Sequence, residues 1–132
     1  MKHLVIGTTR HWACGVALWN LALDERHRPH LGGCSDCRGV ITIDSAGGTV
    51  TRNEEYYALA HASRFVLPGA RRIASTTETD SVKTVAFRNP DGTLVLIAVN
   101  TGTEARVLHL HTGVHQFRSA LAPGAVATFR WR

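Results

Sequence analysis

The apolar positions of this chain fall into two textures that divide near residue 70. Up to that point helical and strand-like spacings are mixed. Leu4, Val5, Thr8, Trp12 and Ala13 recur at roughly helical intervals and predict a short helix. Gly15 to Leu23 is an almost unbroken apolar run of strand length, the pattern of a strand buried on both faces in a parallel sheet. A polar loop rich in His, Gly and Cys follows from Asp24 to Arg38. Val40-Ile41-Thr42-Ile43 and Thr49-Val50-Thr51 flank Ser45-Ala46-Gly47-Gly48, which predicts a hairpin whose glycines supply the positive φ angles.

Thr51-Arg52-Asn53-Glu54 fits a capping box, with Thr51 capping and Glu54 reaching back. Residues 54 to 66 then read as a helix, with Tyr57, Ala58, Ala62 and Phe65 on one face and Leu59 and Val66 beside it, stopped by Pro68-Gly69. Beyond residue 70 short apolar runs alternate with turn chemistry. Runs at 82–88 and 93–99 flank Asn89-Pro90-Asp91-Gly92, a strong β-turn signal. Further runs at 106–110, 116–121 and 125–131 are expected to complete a meander. Strands recurring this often imply a sandwich or barrel. The expected fold class is therefore α+β: a βα piece in residues 1–69, then an antiparallel all-β sandwich in 70–132. The buried strand at 15–23 needs parallel neighbours that the rest of the chain does not supply, and alone it would expose a large apolar patch. The first half is expected to belong to a bigger sheet.

Composition narrows the classes of function. The 15 Lys and Arg outnumber the 10 Asp and Glu, but they are scattered and not interleaved with aromatics. A nucleic-acid footprint needs them concentrated on one face, so no nucleic-acid partner is expected; weak attraction to anionic lipid stays open. No apolar run approaches the ~20 residues of a transmembrane helix. The apolar stretch Leu4 to Ile6 is too short for a signal peptide, and localisation is left open. Three cysteines, Cys14, Cys34 and Cys37, leave at least one thiol unpaired, so the redox compartment is undecided.

Trp19-Asn20-Leu21-Ala22-Leu23, the segment from Glu55 to Ile73, and residues 86–100 and 121–131 together resemble glycoside hydrolase family 30 of the glucosylceramidase type. Trp19-Asn20-Leu21-Ala22-Leu23, followed by a loop with Pro29, is similar to the family's eighth barrel strand. The segment from Glu55 to Ile73, with Tyr56-Tyr57-Ala58-Leu59-Ala60-His61-Ala62-Ser63-Arg64-Phe65 at its heart, resembles the last barrel helix and the crossover out of the barrel. Residues 86–100 resemble the central hairpin of the side β-sandwich, and 121–131 its closing strand. The resemblance covers nearly the whole chain in order. It implies the last βα unit of a (β/α)8 barrel followed by most of a sandwich, with the seventh helix ahead of strand eight. In the family the sandwich also takes strands from the N-terminal end of the protein.

The resemblance implies a retaining β-glycosidase without cofactor, acting on glucosylceramide-like or related β-glycosides. Such enzymes need two carboxylates about 5–5.5 Å apart, and the family's glutamates on barrel strands four and seven fall upstream of Met1. Within the chain Glu54 and Glu55 are neighbours on a helix, Asp24 and Glu25 neighbours on a loop, and Glu78, Asp80, Asp91 and Glu104 fall in sandwich turns. None makes a facing pair, so this chain alone is expected to be inactive. Trp19 matches a tryptophan that lines the sugar subsite, with Asn20 and Asp24 as weaker supports; a plain core role for Trp19 is the alternative. His27, His30, Cys34 and Cys37 invite a zinc reading, but the spacing is tight for one ion. The Gly-Gly-Cys-x-x-Cys block looks like a loop feature of bacterial members, where a short disulfide between Cys34 and Cys37 or free thiols are simpler, and no metal is expected. Cys14 stands where relatives carry Arg and is expected to be a small buried residue. His61 is expected to pack, and His109 and His111 to face solvent from one strand. The partners implied are a β-glycoside or glycolipid and the missing barrel portion. The competing reading is a non-catalytic sandwich module that binds carbohydrate or lipid or braces a barrel.

Overall fold

The computed structural model describes residues 1–76 and 80–132, so Glu78 lies outside the described residues. The chain opens with a π-helical segment, Lys2–Gly7, that runs into a short α-helical turn, α1 (Thr8–Arg10). The helix ends sooner than its spacing suggests because Trp12 takes a left-handed φ of 71°. The strands β1 (Ala22–Leu23), β2 (Ile41–Ile43) and β3 (Val50–Arg52) form a small sheet, followed by α2 (Glu54–Ser63). Then come β4 (Arg71–Ile73), β5 (Val82–Arg88), β6 (Leu94–Asn100), β7 (Arg106–Thr112), β8 (His115–Leu121) and β9 (Val126–Trp131). The chain is thus a small α+β protein dominated by antiparallel strands.

The core is built around β5 and β6. Their alternate residues face two different layers, as the period-2 geometry of a strand requires. Val85, Phe87, Val95, Ile97 and Val99 face one way and pack with Val5 and Ile6 of the N-terminal helix, with Ala62, Phe65 and Val66 beside them. Val82 and Ala98 face the other way, towards Leu121 of β8, with Leu108 and Phe129 alongside. One four-stranded sheet therefore lies between a helical layer and a β-hairpin. That explains why β6 reads as a continuous apolar run, Leu94 to Val99. Burying each of these Val and Ile side chains stabilises the fold by about 1.5–3 kcal/mol before entropy is charged against it.

The strands do not form a simple meander. The four-stranded sheet runs β4-β5-β6-β9, and β7 pairs only with β8 as a separate two-stranded layer. After β6 the chain leaves the sheet, makes the β7–β8 hairpin over it, and returns to pair β9 against β6, from Leu94↔Trp131 to Val99↔Val126. A sandwich results because the hairpin's half-buried Leu108, Leu110 and Phe117 need an apolar face to lie on. The two layers do not close completely. A gap of about 550 Å³ remains between them, lined by Ile73, Thr84, Ala86, Leu96, Leu110 and Trp131, among others.

The first half differs most from expectation. Only Ala22 and Leu23 of the run from Gly15 are in a strand, and Trp19 and Leu21 are 86% and 71% exposed. The reason is the lack of neighbours: β1 has a parallel partner on one side alone, β2, so the run cannot be covered on both faces. The expected hairpin is present, with β2 and β3 paired antiparallel and Gly48 at φ 70° in its turn. The capping box is absent. Thr51 is inside β3, Asn53 is the N-cap without a side-chain capping bond, and Glu54 is drawn to Arg38 instead. Asn53 is committed elsewhere: its Nδ2 donates to Gly39 O at 2.8 Å and Thr42 Oγ1 at 3.0 Å. Tyr57 points outward and is exposed, while Ala62 and Phe65 reach the core as expected.

Candidate functional site

The residues nominated from the sequence bracket β1: Trp19 and Asn20 precede it, and Asp24 opens the long loop after it. Asn20 takes a left-handed φ of 80°, which turns the chain sharply between Trp19 and β1. The turn is anchored from behind: Val40 N donates to Asn20 O and Ile41 N to Leu21 O, both at 3.0 Å. Gly39 makes this approach possible. A Cβ there would stand 2.7 Å from Ile41 O and 2.9 Å from Leu23 N, so only glycine fits between β1 and β2. The outcome is a Trp19 side chain held on a fixed backbone yet exposed, with its indole faces free for another surface.

Asp24 plays a different part. Its Oδ1 accepts from Arg26 N at 2.8 Å and Arg28 N at 2.7 Å, and its Oδ2 lies 3.6 Å from Arg28 Nε. A carboxylate engaged this way shapes the loop start, which continues through a left-handed His27 and a cis Arg28–Pro29 bond. Glu25 pins the same loop to the β2–β3 turn, accepting from Ser45 N at 3.0 Å and Ser45 Oγ at 2.6 Å. The Ser45 hydroxyl bond, helped by backbone donors, pulls the Glu25 carboxyl down to about 2.

Further along the loop the sulphurs of Cys34 and Cys37 are joined in a disulfide. With Asp36 they form the one set of three grouped metal-type side chains among the described residues. Bonded to each other, the sulphurs are not thiolates and do not ligate a metal as such. His27 and His30 are not in this group, so the structure does not assemble the four-ligand set. Cys14 is exposed and free, against the expectation of a small buried residue, because the segment around it has no covering layer.

Glu54 and Glu55 both bind the Arg38 guanidinium. Backbone hydrogen bonding at the helix start, with Arg38, holds Glu54 below the usual carboxylate range. Asp91 is held low chiefly by the Thr93 hydroxyl, at 2.6 Å, and by Thr93 N, at 3.0 Å. A general acid needs the opposite shift. His61 on α2 lies with Nδ1 2.9 Å from Thr128 Oγ1 on β9, a packing position where burial lowers its proton affinity. His109 and His111 are exposed on β7, as their alternation suggests.

Three structural residues escaped the sequence reading. Asn89 and Asn100 are buried and bridge elements, and Arg38 gathers Glu54 and Glu55. For the two asparagines a signal was present: each ends a strand-like apolar run, where an amide has orphan backbone groups to satisfy.

Residues 69–129 match the glycosyl hydrolase family 30 beta sandwich domain. The endo-1,6-beta-D-glucanase neg1 of Aspergillus fumigatus is 40% identical over 103 residues, which is 73% of this chain and 21% of that protein. The lysosomal acid glucosylceramidase of Mus musculus is 28% identical over 99% of this chain and 26% of its own length. The solved structure of the endo-beta1,6-glucanase BT3312 superposes with a TM-score of 0.89 at 34% identity, covering 97% of this chain and 29% of that one. The chain thus spans only about a fifth to a quarter of the curated relatives it matches. Among the described residues no helix is long and apolar enough to cross a membrane. On its sandwich, its fold and its sequence, the chain belongs to glycosyl hydrolase family 30, of which it carries the C-terminal beta sandwich domain.

Proposed function

We propose that this chain is the C-terminal part of a retaining β-glycosidase that cleaves β-1,6-linked glucan, contributing one wall of the sugar site and the sandwich that braces a barrel. The observation that carries the reading is Trp19, 86% exposed on an anchored turn. An indole face suits the apolar C–H face of a pyranose ring, and its N–H can donate to a hydroxyl. Asn20 sets the turn that presents it, and Asp24 fixes the start of the loop that follows β1. The catalytic acid/base and nucleophile are assigned to residues outside this chain, because Glu25 is tied to Ser45, Glu54 and Glu55 to Arg38, and Asp91 to Thr93. Two open apolar surfaces support a larger assembly: the groove lined by Val16, Leu18 and Leu59, and the gap between the sandwich layers.

The substrate is assigned from the relatives: two endo-1,6-beta-D-glucanases match at 40% and 35% identity, against 28% for the glucosylceramidase. The test is complementation. The barrel portion of an endo-1,6-β-glucanase, produced without its own C-terminal part, is co-expressed with this chain and assayed on β-1,6-gluco-oligosaccharides and on glucosylceramide. Cleavage of the glucan by the pair, by neither part alone, and at least tenfold less with Trp19→Ala, is expected. Preferential cleavage of glucosylceramide would overturn the substrate assignment. Equal activity with Trp19→Ala would overturn the site. Hydrolysis by this chain alone would overturn the division of labour.

A further inference from the structure

The outer face of the β7–β8 hairpin carries a cluster that the sugar site does not use. Along β7 Leu108, Leu110 and Thr112 turn inward and are half-buried, while Val107, His109 and His111 are exposed on the opposite face. The register sets Arg118 opposite His109 and Gln116 opposite His111. These four side chains, with Phe117, line a shallow groove of about 390 Å³. No Asp or Glu occurs after Glu104, so the hairpin supplies no carboxylate to pair with the imidazoles.

We propose that His109 and His111 form a two-imidazole site for a first-row transition ion of the Zn(II) or Cu(II) class. Two residues apart on one face of a strand, their Cα atoms are separated by about 6.7 Å. Side chains launched in parallel from that spacing can converge on one ion at about 2.0–2.1 Å from each nitrogen. The ladder from Arg106↔Leu121 to Thr112↔His115 fixes both backbones, so little order is lost on binding. Neutral imidazole is the commonest metal ligand and selects zinc, copper and nickel over magnesium or calcium. The Gln116 amide, directly across from His111, offers an oxygen within cross-strand reach, and water completes the shell. Arg118 opposes a cation here, and that gives the test its sign: removing it tightens a metal and loosens an anion.

The test titrates zinc chloride into the full chain at pH 7.5, following the histidine side-chain resonances and the heat of binding. The His109 and His111 signals are expected to move together at one equivalent. His109→Ala and His111→Ala each weaken binding at least tenfold. Arg118→Gln strengthens it two- to fivefold, and His27→Ala, His30→Ala and His115→Ala leave it unchanged. The positions are exposed, and circular dichroism of each variant establishes that it is folded. Unmoved His109 and His111 resonances, or unchanged affinity in both alanine variants, would overturn the site. So would an Arg118→Gln variant that binds zinc no more tightly while losing inorganic phosphate binding shown by the parent chain, which would mark the groove as an oxyanion site.

Discussion

Asn100 and Leu121 hold the two layers of the sandwich together: Asn100 Nδ2 donates to the Leu121 carbonyl at 3.0 Å. Asn100 ends β6 in the four-stranded sheet, and Leu121 ends β8 in the hairpin. The same amide nitrogen donates to Glu104 O at 2.7 Å and lies 3.2 Å from Ala122 O, and Asn100 Oδ1 accepts from Gly102 N at 3.0 Å. One fully buried side chain thus satisfies the backbone of two turns.

Asn100→Ala is expected to destabilise the chain by about 2–4 kcal/mol, because it leaves buried backbone groups without partners. Asn100→Asp should cost at least as much, since a carboxylate would face carbonyl oxygens. The shift of the urea unfolding midpoint measures both, and loss of the alanine variant's effect in Asp would contradict the donor role.

Asn89 joins the end of the helical layer to the β5–β6 turn. Its Oδ1 accepts from Leu67 N at 3.0 Å, and its Nδ2 donates to Phe65 O at 2.9 Å. Asn89→Ala is expected to cost about 1–3 kcal/mol and to speed hydrogen exchange at the Leu67 amide well beyond the global effect. Exchange at Leu67 that tracks global unfolding alone would show that this bond is dispensable.

The Glu25–Ser45 contact gives a pH signature. Glu25 is lowered from an ordinary 4.5 to about 2, so its folded form favours the ionised carboxylate. A depressed carboxylate contributes stability that is present above the unfolded value and lost as pH falls through the folded one, so the window runs from about pH 4.5 down to about 2. Ser45→Ala removes the leading cause, and the Glu25 titration midpoint read by NMR should rise towards 4.5. A midpoint that stays near 2 would assign the shift to the backbone donors.

Gly39 lets β1 and β2 approach, with Leu23 N and Ala22 Cα at 2.9 and 3.0 Å from where a Cβ would sit. Gly39→Ala is expected to cost about 1–3 kcal/mol through overpacking and to loosen the bonds from Val40 N and Ile41 N. Backbone amide shifts confined to residues outside 20–23 and 39–43 would argue against this.

Much of the sandwich was legible before its tertiary structure. Strand runs separated by Asn89-Pro90-Asp91-Gly92 and by glycine-bearing turns locate β5 to β9 within a residue or two, because strand period and turn chemistry are local properties. The family likeness of the Trp19 block was legible as well. Its surroundings were not: Asp24 turned out to be bound to its own loop, and Cys14 to be exposed.

The sequence by itself determined the strands β2, β3 and β5 to β9, where most turns fall, and which family the chain resembles. Tertiary structure alone decided which apolar runs are buried. Gly15 to Leu23 and Leu94 to Val99 look alike as sequences, yet β6 lies between helices and a hairpin while Trp19 and Leu21 stand in the open. It also decided that β9, not β7, pairs with β6, and that Asn53, Asn89 and Asn100 turn inward. The physical reason is common to all three. Period and propensity specify how a segment can be buried, but burial itself depends on partners that arrive from elsewhere in the chain.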